Sequence, residues 1–253
     1  MKKYFFFDID GTLSPGGTLC IPKDTQSCLE GLRASGHFTA LTTGRLLSNA
    51  QDFAEKYGFE AVVADGGQSA SLHGRLLFME SLPVQACAAL TERLDAAGIP
   101  WAVSAENSTV RLTRDGQFTA AAGESYFETR IVPGLEAAAL PVIYKIFIAC
   151  SSGQQAAIDL GGLPAVRFNT RCLFIEPTDK ARGIRRLMAV LGAPCERVVV
   201  FGDGDNDCGM FCPEWTSIAM GNACAALKQR ADYVTDDCDR DGIGKACRRF
   251  GWL

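Results

Sequence analysis

The sequence predicts an α/β fold: a doubly wound parallel sheet with a second, smaller α/β domain inserted into it. Short apolar runs alternate with helix-period segments at both ends of the chain, as in parallel βαβ units. The middle of the chain has helices and strands of its own, between Leu82-Pro83 and Glu176-Pro177. The chain has 253 residues, of which 47% are hydrophobic and 21% charged, so it is long enough for a packed core with an insertion.

In residues 1–81, short apolar runs predict strands that are buried on both faces. Amphipathic stretches that end at a glycine predict the helices between them. The predicted strands are Tyr4–Ile9, Phe38–Thr42 and Ala61–Ala64, and the predicted helices are Asp24–Ser35, with Asp24 as its N-cap, and Leu46–Tyr57.

Residues 82–174 are predicted to form the inserted domain, because their helices and strands do not continue the alternation of the first part. The predicted helices are Val84–Ala97, Gly123–Thr129 and Gln154–Leu160, and the predicted strands are Trp101–Val103, Thr109–Thr113, Tyr144–Cys150 and Arg167–Ile175.

Residues 175–253 return to the first pattern and are predicted to complete the main sheet. The predicted helices are Lys180–Leu191 and Ala223–Arg230, and the predicted strands are Arg197–Phe201, Thr216–Met220 and Tyr233–Val234.

Composition excludes several classes of protein. The net charge is −4 and no basic stripe carries interleaved aromatic residues, so the chain lacks the electrostatic footprint of a nucleic-acid-binding protein. Asp8 and Asp10 interrupt the apolar start too early for a signal peptide, and no apolar run is long enough to span a membrane. The 11 cysteines are scattered and odd in number, which predicts free thiols in a reducing, cytoplasmic compartment.

An acidic pair follows the first predicted strand, in the segment Asp8-Ile9-Asp10-Gly11-Thr12. Residues two apart on a strand point to the same side, so both carboxylates are expected to face one site where the strand ends. Ligands bind at this end of the strands in open α/β sheets. The alternative is a plain turn that caps a helix.

A second acidic loop, Gly202-Asp203-Gly204-Asp205-Asn206-Asp207, follows another predicted buried strand. Its carboxylates repel one another unless a cation relieves them, and oxygen ligands suit a hard cation such as Mg²⁺ or Ca²⁺. The spacing also fits part of an EF-hand loop, but Cys208 stands where that loop needs glycine.

Two further segments carry groups that bind anions. Thr43 and Gly44, in Thr42-Thr43-Gly44-Arg45, offer a hydroxyl and a backbone N–H near a predicted helix N-terminus. Lys180 lies near the start of another predicted helix. The alternatives are an ordinary N-cap and a solvated lysine.

Taken in order, these four segments resemble the four motifs of the haloacid dehalogenase (HAD) superfamily of aspartyl phosphohydrolases. The segments Ala219-Met220-Gly221-Asn222-Ala223 and Ala231-Asp232-Tyr233-Val234-Thr235, the latter followed by Asp241-Gly242, resemble stretches of its Cof-type branch. The resemblance implies a Rossmann-like core with an α/β cap inserted between the second and third motifs. The cap is expected to cover the site, exclude water and select the leaving group.

The resemblance also implies a role for each matching residue. Asp8 is expected to attack phosphorus and form an aspartyl phosphate, while Asp10 protonates the leaving group and then activates water. The expected cofactor is Mg²⁺. Its expected ligands are Asp8, Asp203 and Asp10, the last through its backbone carbonyl, with Asp207 supporting the metal from behind. The expected phosphate ligands are Thr43, Gly44 and Lys180, and the expected substrate contacts are Arg45 and Asn206.

The implied activity is a Mg²⁺-dependent phosphatase that acts on small phosphorylated metabolites such as sugar phosphates. Two alternatives stay open, a sugar phosphomutase and a non-catalytic phosphate-binding protein. Asp65 stands where Cof-type proteins commonly have asparagine, and Asp205 is an additional acid in the fourth motif. Lys145 is either a substrate contact or a surface lysine at a strand edge. The substrate and the oligomeric state stay open.

Overall fold

The computed structural model describes residues 1–16, 18–123 and 127–253. They form two compact units: Met1–Phe78 with Thr178–Leu253, and Met79–Pro177. Residues 79–81 and 175–177, which the sequence analysis assigned to the main domain, group with the second unit.

The described elements alternate between strand and helix over most of the chain. The strands are β1 (Tyr4–Phe7), β2 (Phe38–Thr42), β3 (Ala61–Ala64), β4 (Ser69–Leu72), β5 (Arg75–Met79), β6 (Trp101–Ser104), β7 (Val110–Thr113), β8 (Glu128–Ile131), β9 (Lys145–Ala149), β10 (Ala165–Arg167), β11 (Cys172–Ile175), β12 (Val198–Gly202), β13 (Thr216–Ala219) and β14 (Tyr233–Val234). The α-helices are α1 (Lys23–Ala34), α2 (Leu47–Tyr57), α3 (Val84–Ala96), α4 (Gln117–Ala122), α5 (Ser152–Gln155), α6 (Lys180–Val190), α7 (Ala225–Arg230) and α8 (Gly242–Arg249).

The sheet of the first unit has the strand order β14-β13-β12-β1-β2-β3-β4-β5, and its strands from β14 to β3 are parallel. Phe5 and Phe7 lie in one hydrophobic cluster and Phe6 in another, because successive strand residues point to opposite faces. Helices α1, α2 and α8 supply the first cluster, and α6 and α7 the second. The predicted doubly wound α/β fold is therefore confirmed.

The sheet is mixed rather than wholly parallel, because β4 runs antiparallel to β3 and β5 follows it at the edge. This hairpin had not been predicted. His73 and Gly74 form its two-residue turn with φ values of 48° and 76°. Two positive φ values are typical of a type I′ hairpin turn, which Asn-Gly usually signals. Because His73 stands in the first position of the turn instead of asparagine, the sequence did not show the usual pattern.

The sheet of the second unit has the order β10-β11-β9-β6-β7-β8, with β9 in its interior. Helix α3 packs on one face, where Leu90, Val103 and Ile146 share a hydrophobic cluster. All described pairs in this sheet are antiparallel except β7 with β8. The unit has a core separate from both clusters of the main sheet.

Three predictions in the second unit were wrong. The helix predicted at Gly123–Thr129 includes residues 124–126, which lie outside the described residues. On either side of them, Gly123, at φ 81°, ends α4, and β8 begins at Glu128. The strand predicted at Arg167–Ile175 is the β10–β11 hairpin, and the helix predicted at Gln154–Leu160 is replaced by the single turn α5.

Two predicted boundaries in the main unit were also wrong. Strand β1 ends at Phe7, before the acidic pair. Helix α1 begins at Lys23 after Pro22, so Asp24 lies in its first turn rather than at the N-cap. Helix α8 had not been predicted. Among the described residues, no helix is long and apolar enough to cross a membrane.

Candidate active site

The candidate site lies where three neighbouring strands of the main sheet end. Asp8 directly follows β1, Thr43 follows β2, and Asp203 follows β12. Because these strands are parallel and adjacent, their carboxyl ends meet at one edge of the sheet, where open α/β folds bind ligands. Lys180 is the first residue of α6, whose N-cap Asp179 accepts a hydrogen bond from the backbone N–H of Arg182 at 3.0 Å.

Lys180 joins two carboxylates at the centre of the site. Its Nζ donates to Oδ1 of Asp8 at 2.6 Å and to Oδ1 of Asp207 at 2.5 Å. The side chains of all three residues are at most 6% exposed. A buried charge of this kind needs a partner and hydrogen bonds, and here each carboxylate has both.

Asp203 is oriented by the loops on either side of it. Its Oδ1 accepts a hydrogen bond from Thr12 Oγ1 at 2.7 Å. Oδ2 of Asp207 accepts from the backbone N–H groups of Asp203, at 2.9 Å, and Gly204, at 3.0 Å. Asp207 therefore binds the backbone of the Asp203 loop through Oδ2, and it binds the ammonium group of Lys180 through Oδ1. Gly11, at φ 90°, lies so close to Asp203 that a Cβ there would strike its carboxylate.

The site carries more negative charge than its lysine offsets. Burial raises the pKa of Asp8 well above its ordinary value, and the carboxylates of Asp207, Asp203 and Asp10 raise it further, against the opposing charge of Lys180. Burial likewise raises the pKa of Asp203 to about 6, although the hydrogen bond from Thr12 opposes this. Burial alone would lower the pKa of Lys180, but Asp207 and Asp8 outweigh it and raise the pKa, so the lysine stays protonated.

These carboxylates fit a hard divalent cation. Oxygen atoms of Asp8, Asp203 and Asp207 lie within 4.8 Å of one another. Three ionised carboxylates and one lysine leave a formal charge of −2 in a largely buried site, which is the charge that a divalent cation neutralises. Carboxylate oxygens are the ligands that Mg²⁺ and Ca²⁺ prefer.

Asp10 is placed differently from the prediction. Since β1 ends at Phe7, Asp10 lies beyond the strand, and the alternation that was expected to align it with Asp8 does not apply. Its side chain is 54% exposed and pairs with Arg45, whose Nε donates to Oδ2 at 2.9 Å and whose Nη2 donates to Oδ1 at 2.5 Å. A bidentate pair of this kind fixes the carboxylate plane. Arg45 Nη1 also donates to Asn49 Oδ1 at 3.3 Å.

The segment after β2 is held by its own backbone. Thr43 is buried; its N–H donates to the carbonyl of Val63 at 2.9 Å, and its Oγ1 accepts from the N–H of Arg45 at 3.1 Å. Gly44 lies between them and is half-buried. Asn206 is half-buried in the 3₁₀ helix Asp205–Met210, which lies in the acidic loop after β12.

Two residues with structural roles at the site were given none from the sequence. Thr12, already quoted within the first motif, orients Asp203. Asn222 clamps the loop that follows β1: its Nδ2 donates to the carbonyl of Gly11 at 2.8 Å and its Oδ1 accepts from the N–H of Cys238 at 3.0 Å. The resemblance of the segment Ala219-Met220-Gly221-Asn222-Ala223 to the Cof-type branch was the one sequence feature that pointed to a role for Asn222.

Lys145 is not the surface lysine that was one alternative for it. It is 1% exposed on the interior strand β9 and forms an ion pair with Glu176 at 2.5 Å, both within the second unit. Asp65 is also buried, and its Oδ2 accepts a hydrogen bond from Ser69. Asp205 is exposed.

Comparison with known proteins gives the family to which this fold and this site belong. The chain belongs to the haloacid dehalogenase-like hydrolases, whose family model matches residues 5–247. The resemblance found in the sequence is thereby confirmed. The chain is a phosphatase; members of this family act on small phosphorylated substrates and are generally metal-dependent.

Several relatives match over the whole chain. It is 27% identical to YkrA of Bacillus subtilis (strain 168), provisionally named a phosphatase, over 100% of this chain and 99% of that one. A solved structure from Geobacillus kaustophilus HTA426 matches with a TM-score of 0.85 at 27% identity, covering 100% of both chains. The HAD subclass IIB sugar phosphatase BT4131 matches with a TM-score of 0.82 at 23% identity, again over 100% of both chains, which shows a shared fold.

Proposed function

We propose that this phosphatase is Mg²⁺-dependent and hydrolyses the monoesters of small phosphorylated metabolites, sugar phosphates in particular, through an aspartyl phosphate on Asp8. The observation that carries the proposal is the buried cluster at the ends of β1 and β12. There Lys180 contacts Asp8 at 2.6 Å, and Asp203 lies within 4.8 Å of Asp8. The sugar-phosphate part is supported by the fold shared with a named sugar phosphatase.

In the first step, a carboxylate oxygen of Asp8 attacks phosphorus, and the bond from phosphorus to the leaving oxygen breaks. A covalent intermediate divides one difficult displacement into two easier ones. Lys180 orients the attacking carboxylate and contacts a non-bridging phosphate oxygen. The Thr43 hydroxyl and the Gly44 N–H bind the other non-bridging oxygens, while Arg45 and Asn206 contact the substrate.

Asp10 moves the protons in this scheme. It gives its proton to the leaving alkoxide, and it then takes a proton from the water that attacks the aspartyl phosphate, which frees Asp8 and inorganic phosphate. Arg45 donates to both oxygens of Asp10 in this structure. For the proton transfer, the Asp10 carboxyl therefore either turns away from Arg45 or keeps one of these hydrogen bonds while Arg45 also contacts the substrate.

Mg²⁺ would be held by Asp8, Asp203 and the backbone carbonyl of Asp10, and when bound it supplies positive charge against the repulsion between Asp8 and the anionic phosphate. Asp207 keeps these groups in place, because it fixes the loop of Asp203 and the ammonium of Lys180 together. Catalysis then depends mainly on positioning and on charge stabilisation.

The test is release of inorganic phosphate from a panel of phosphorylated metabolites, with Mg²⁺ and without any activating bisphosphate. We expect turnover of sugar phosphates by the wild type, and loss of about 10³-fold or more in Asp8→Asn, since removing a covalent nucleophile removes the pathway. Asp205→Asn is the matched control, because this exposed acid lies in the metal loop but outside the proposed ligand set.

Substantial turnover by Asp8→Asn would exclude the aspartyl phosphate. Isomerised sugar phosphate without free phosphate would favour the phosphomutase. Full activity after exhaustive chelation would exclude the metal.

A further inference from the structure

A second group of metal-binding side chains lies outside the set assigned to phosphoryl transfer. It consists of Asp205, Cys208 and Cys224, and is called the thiol cluster below. One carboxylate oxygen and two sulfur atoms lie within 4.8 Å of one another. Among the described residues it is one of two such groups, the other being the carboxylates of the active site.

We propose that the thiol cluster binds a soft divalent cation of the Zn²⁺ class, with Cys208 and Cys224 as thiolate ligands and Asp205 as the carboxylate ligand. Each thiol loses its proton to solvent as its sulfur binds the metal. Water fills the remaining position of the tetrahedron. This function is additional to the proposed phosphatase reaction and does not depend on it.

Geometry supports the proposal. Two sulfur ligands at about 2.3 Å from a tetrahedral Zn²⁺ lie about 3.8 Å apart. A cluster within 4.8 Å therefore reaches ligand geometry when each pair of donor atoms moves closer by about an ångström. The three donor groups come from two segments that pack against each other, the 3₁₀ helix Asp205–Met210 and the residue that precedes α7.

Exposure and charge also support it. Both cysteines are half-buried against the hydrophobic cluster beneath α6 and α7, whereas Asp205 is exposed, which leaves an entry path for the ion. Two thiolates, a carboxylate and a divalent cation sum to a formal charge of −1. Arg230, whose Nη1 donates to the carbonyl of Cys208 at 3.5 Å, lies close enough to balance it.

The donor set distinguishes this site from the active site. The active site offers only carboxylates, which suit Mg²⁺, whereas thiolates select softer ions such as Zn²⁺. The cluster also touches the catalytic loop, because the N–H of Cys224 donates to the carbonyl of Asp203 at 2.9 Å. A bound ion would tie the 3₁₀ helix Asp205–Met210 to the start of α7, on either side of that contact.

The test uses Co²⁺, whose bonds to thiolate sulfur give a charge-transfer absorption that carboxylate ligands do not. Metal-free full-length chain is titrated with Co²⁺ in the presence of a thiol-free reductant. We expect this absorption to saturate at one equivalent and to disappear when Zn²⁺ is added. Cys208→Ser and Cys224→Ser should each lose it, and Asp205→Asn should keep it with Co²⁺ affinity at least about tenfold weaker.

Two matched controls separate this site from others. Cys212→Ser removes a half-buried thiol of the same region that pairs with Glu214, and Asp8→Asn disrupts the carboxylate site; both should keep the absorption. Circular dichroism of each metal-free variant checks folding. If a cysteine variant does not fold, the Co²⁺ affinity of Asp205→Asn tests the proposal, because this residue is exposed and its substitution should not disturb the fold. The proposal is overturned if the wild type shows no charge-transfer absorption, if either folded cysteine variant keeps it at wild-type intensity, or if Asp205→Asn binds Co²⁺ as tightly as the wild type.

Discussion

At the scale of single residues, the residues that lie at the candidate site could be predicted from the sequence, whereas the side chains they contact could not. Asp8 and Asp203 were singled out because each follows a predicted buried strand, and Lys180 because it lies near the start of a predicted helix. The structure places the three side chains together. The pairing of Asp10 with Arg45 was not visible, because it depends on where β1 ends and on how the chain turns afterwards. Such a contact joins residues 35 positions apart and has no local sequence signal.

The contact between Arg45 and Asp10 gives the first residue-scale prediction. Arg45→Ala should lower kcat/KM about ten- to hundredfold for alkyl phosphates, because Arg45 contacts the substrate and, before proton transfer, holds both oxygens of Asp10 at the site. The loss should be smaller for p-nitrophenyl phosphate, whose leaving group needs little protonation. Asn49→Ala, which removes a hydrogen-bond acceptor of Arg45 Nη1 and leaves the contact with Asp10, should leave the ratio of the two substrates unchanged. Equal losses on both substrates would show that Arg45 acts on binding alone.

The raised pKa of Asp203 gives a second residue-scale prediction, on metal affinity. Because burial raises this pKa to about 6, the carboxylate is ionised above pH 7 and becomes protonated as the pH falls through 6. Protons then compete with the cation, so Mg²⁺ affinity measured by calorimetry should be about tenfold weaker at pH 5 than at pH 7.5. A constant affinity across the whole range would contradict the assignment of Asp203 as a ligand.

At the scale of elements, the buried parallel strands were predictable because each is a short apolar run. The hairpin β4–β5 was missed, and so was the close approach of α6 to the turn after β3. A Cβ on Gly183 would strike the side chain of Val63 and come within 2.9 Å of the backbone of Gly67. The helix pattern does not reveal this, because glycine within a helix ordinarily signals only weak helix propensity.

The packing of α6 gives a prediction on stability. Gly183→Ala should destabilise the protein by about 1–3 kcal/mol, since overpacking against backbone outweighs the gain in helix propensity. Gly31→Ala in α1 is the matched control, because its Cβ would meet only the end of the Leu253 side chain, which can move. That variant should be neutral or slightly more stable. Urea denaturation of both measures the difference, and an equal response would contradict the packing argument.

At the scale of the whole molecule, the insertion was visible from its own run of helices and strands. Its exact ends were not, because the contacts that assign residues 79–81 and 175–177 to the second unit are tertiary. Each unit has separate hydrophobic clusters: two lie in the main unit and one in the insertion. Since burial of apolar surface drives folding, the main unit contains what it needs to fold.

The separate cores give a prediction at this scale. A chain in which a short glycine-rich linker replaces residues 79–177 should fold cooperatively and keep a Mg²⁺ affinity within about threefold of the full chain, because every proposed ligand lies in the main unit. Thermal unfolding and calorimetry provide the measurements. The excised residues 79–177 should show their own unfolding transition. A linker variant without a cooperative transition would show that the two units depend on each other.

The clamp made by Asn222 has a consequence for the chain during its synthesis. The Asn222 side chain, which holds the loop after β1, is synthesised 211 residues after Gly11. Asp203 and Asp207, too, are made only after the whole insertion. A nascent chain therefore carries Asp8 through the synthesis of the insertion without these partners, and the candidate site can assemble only once the segment beyond the insertion has been made.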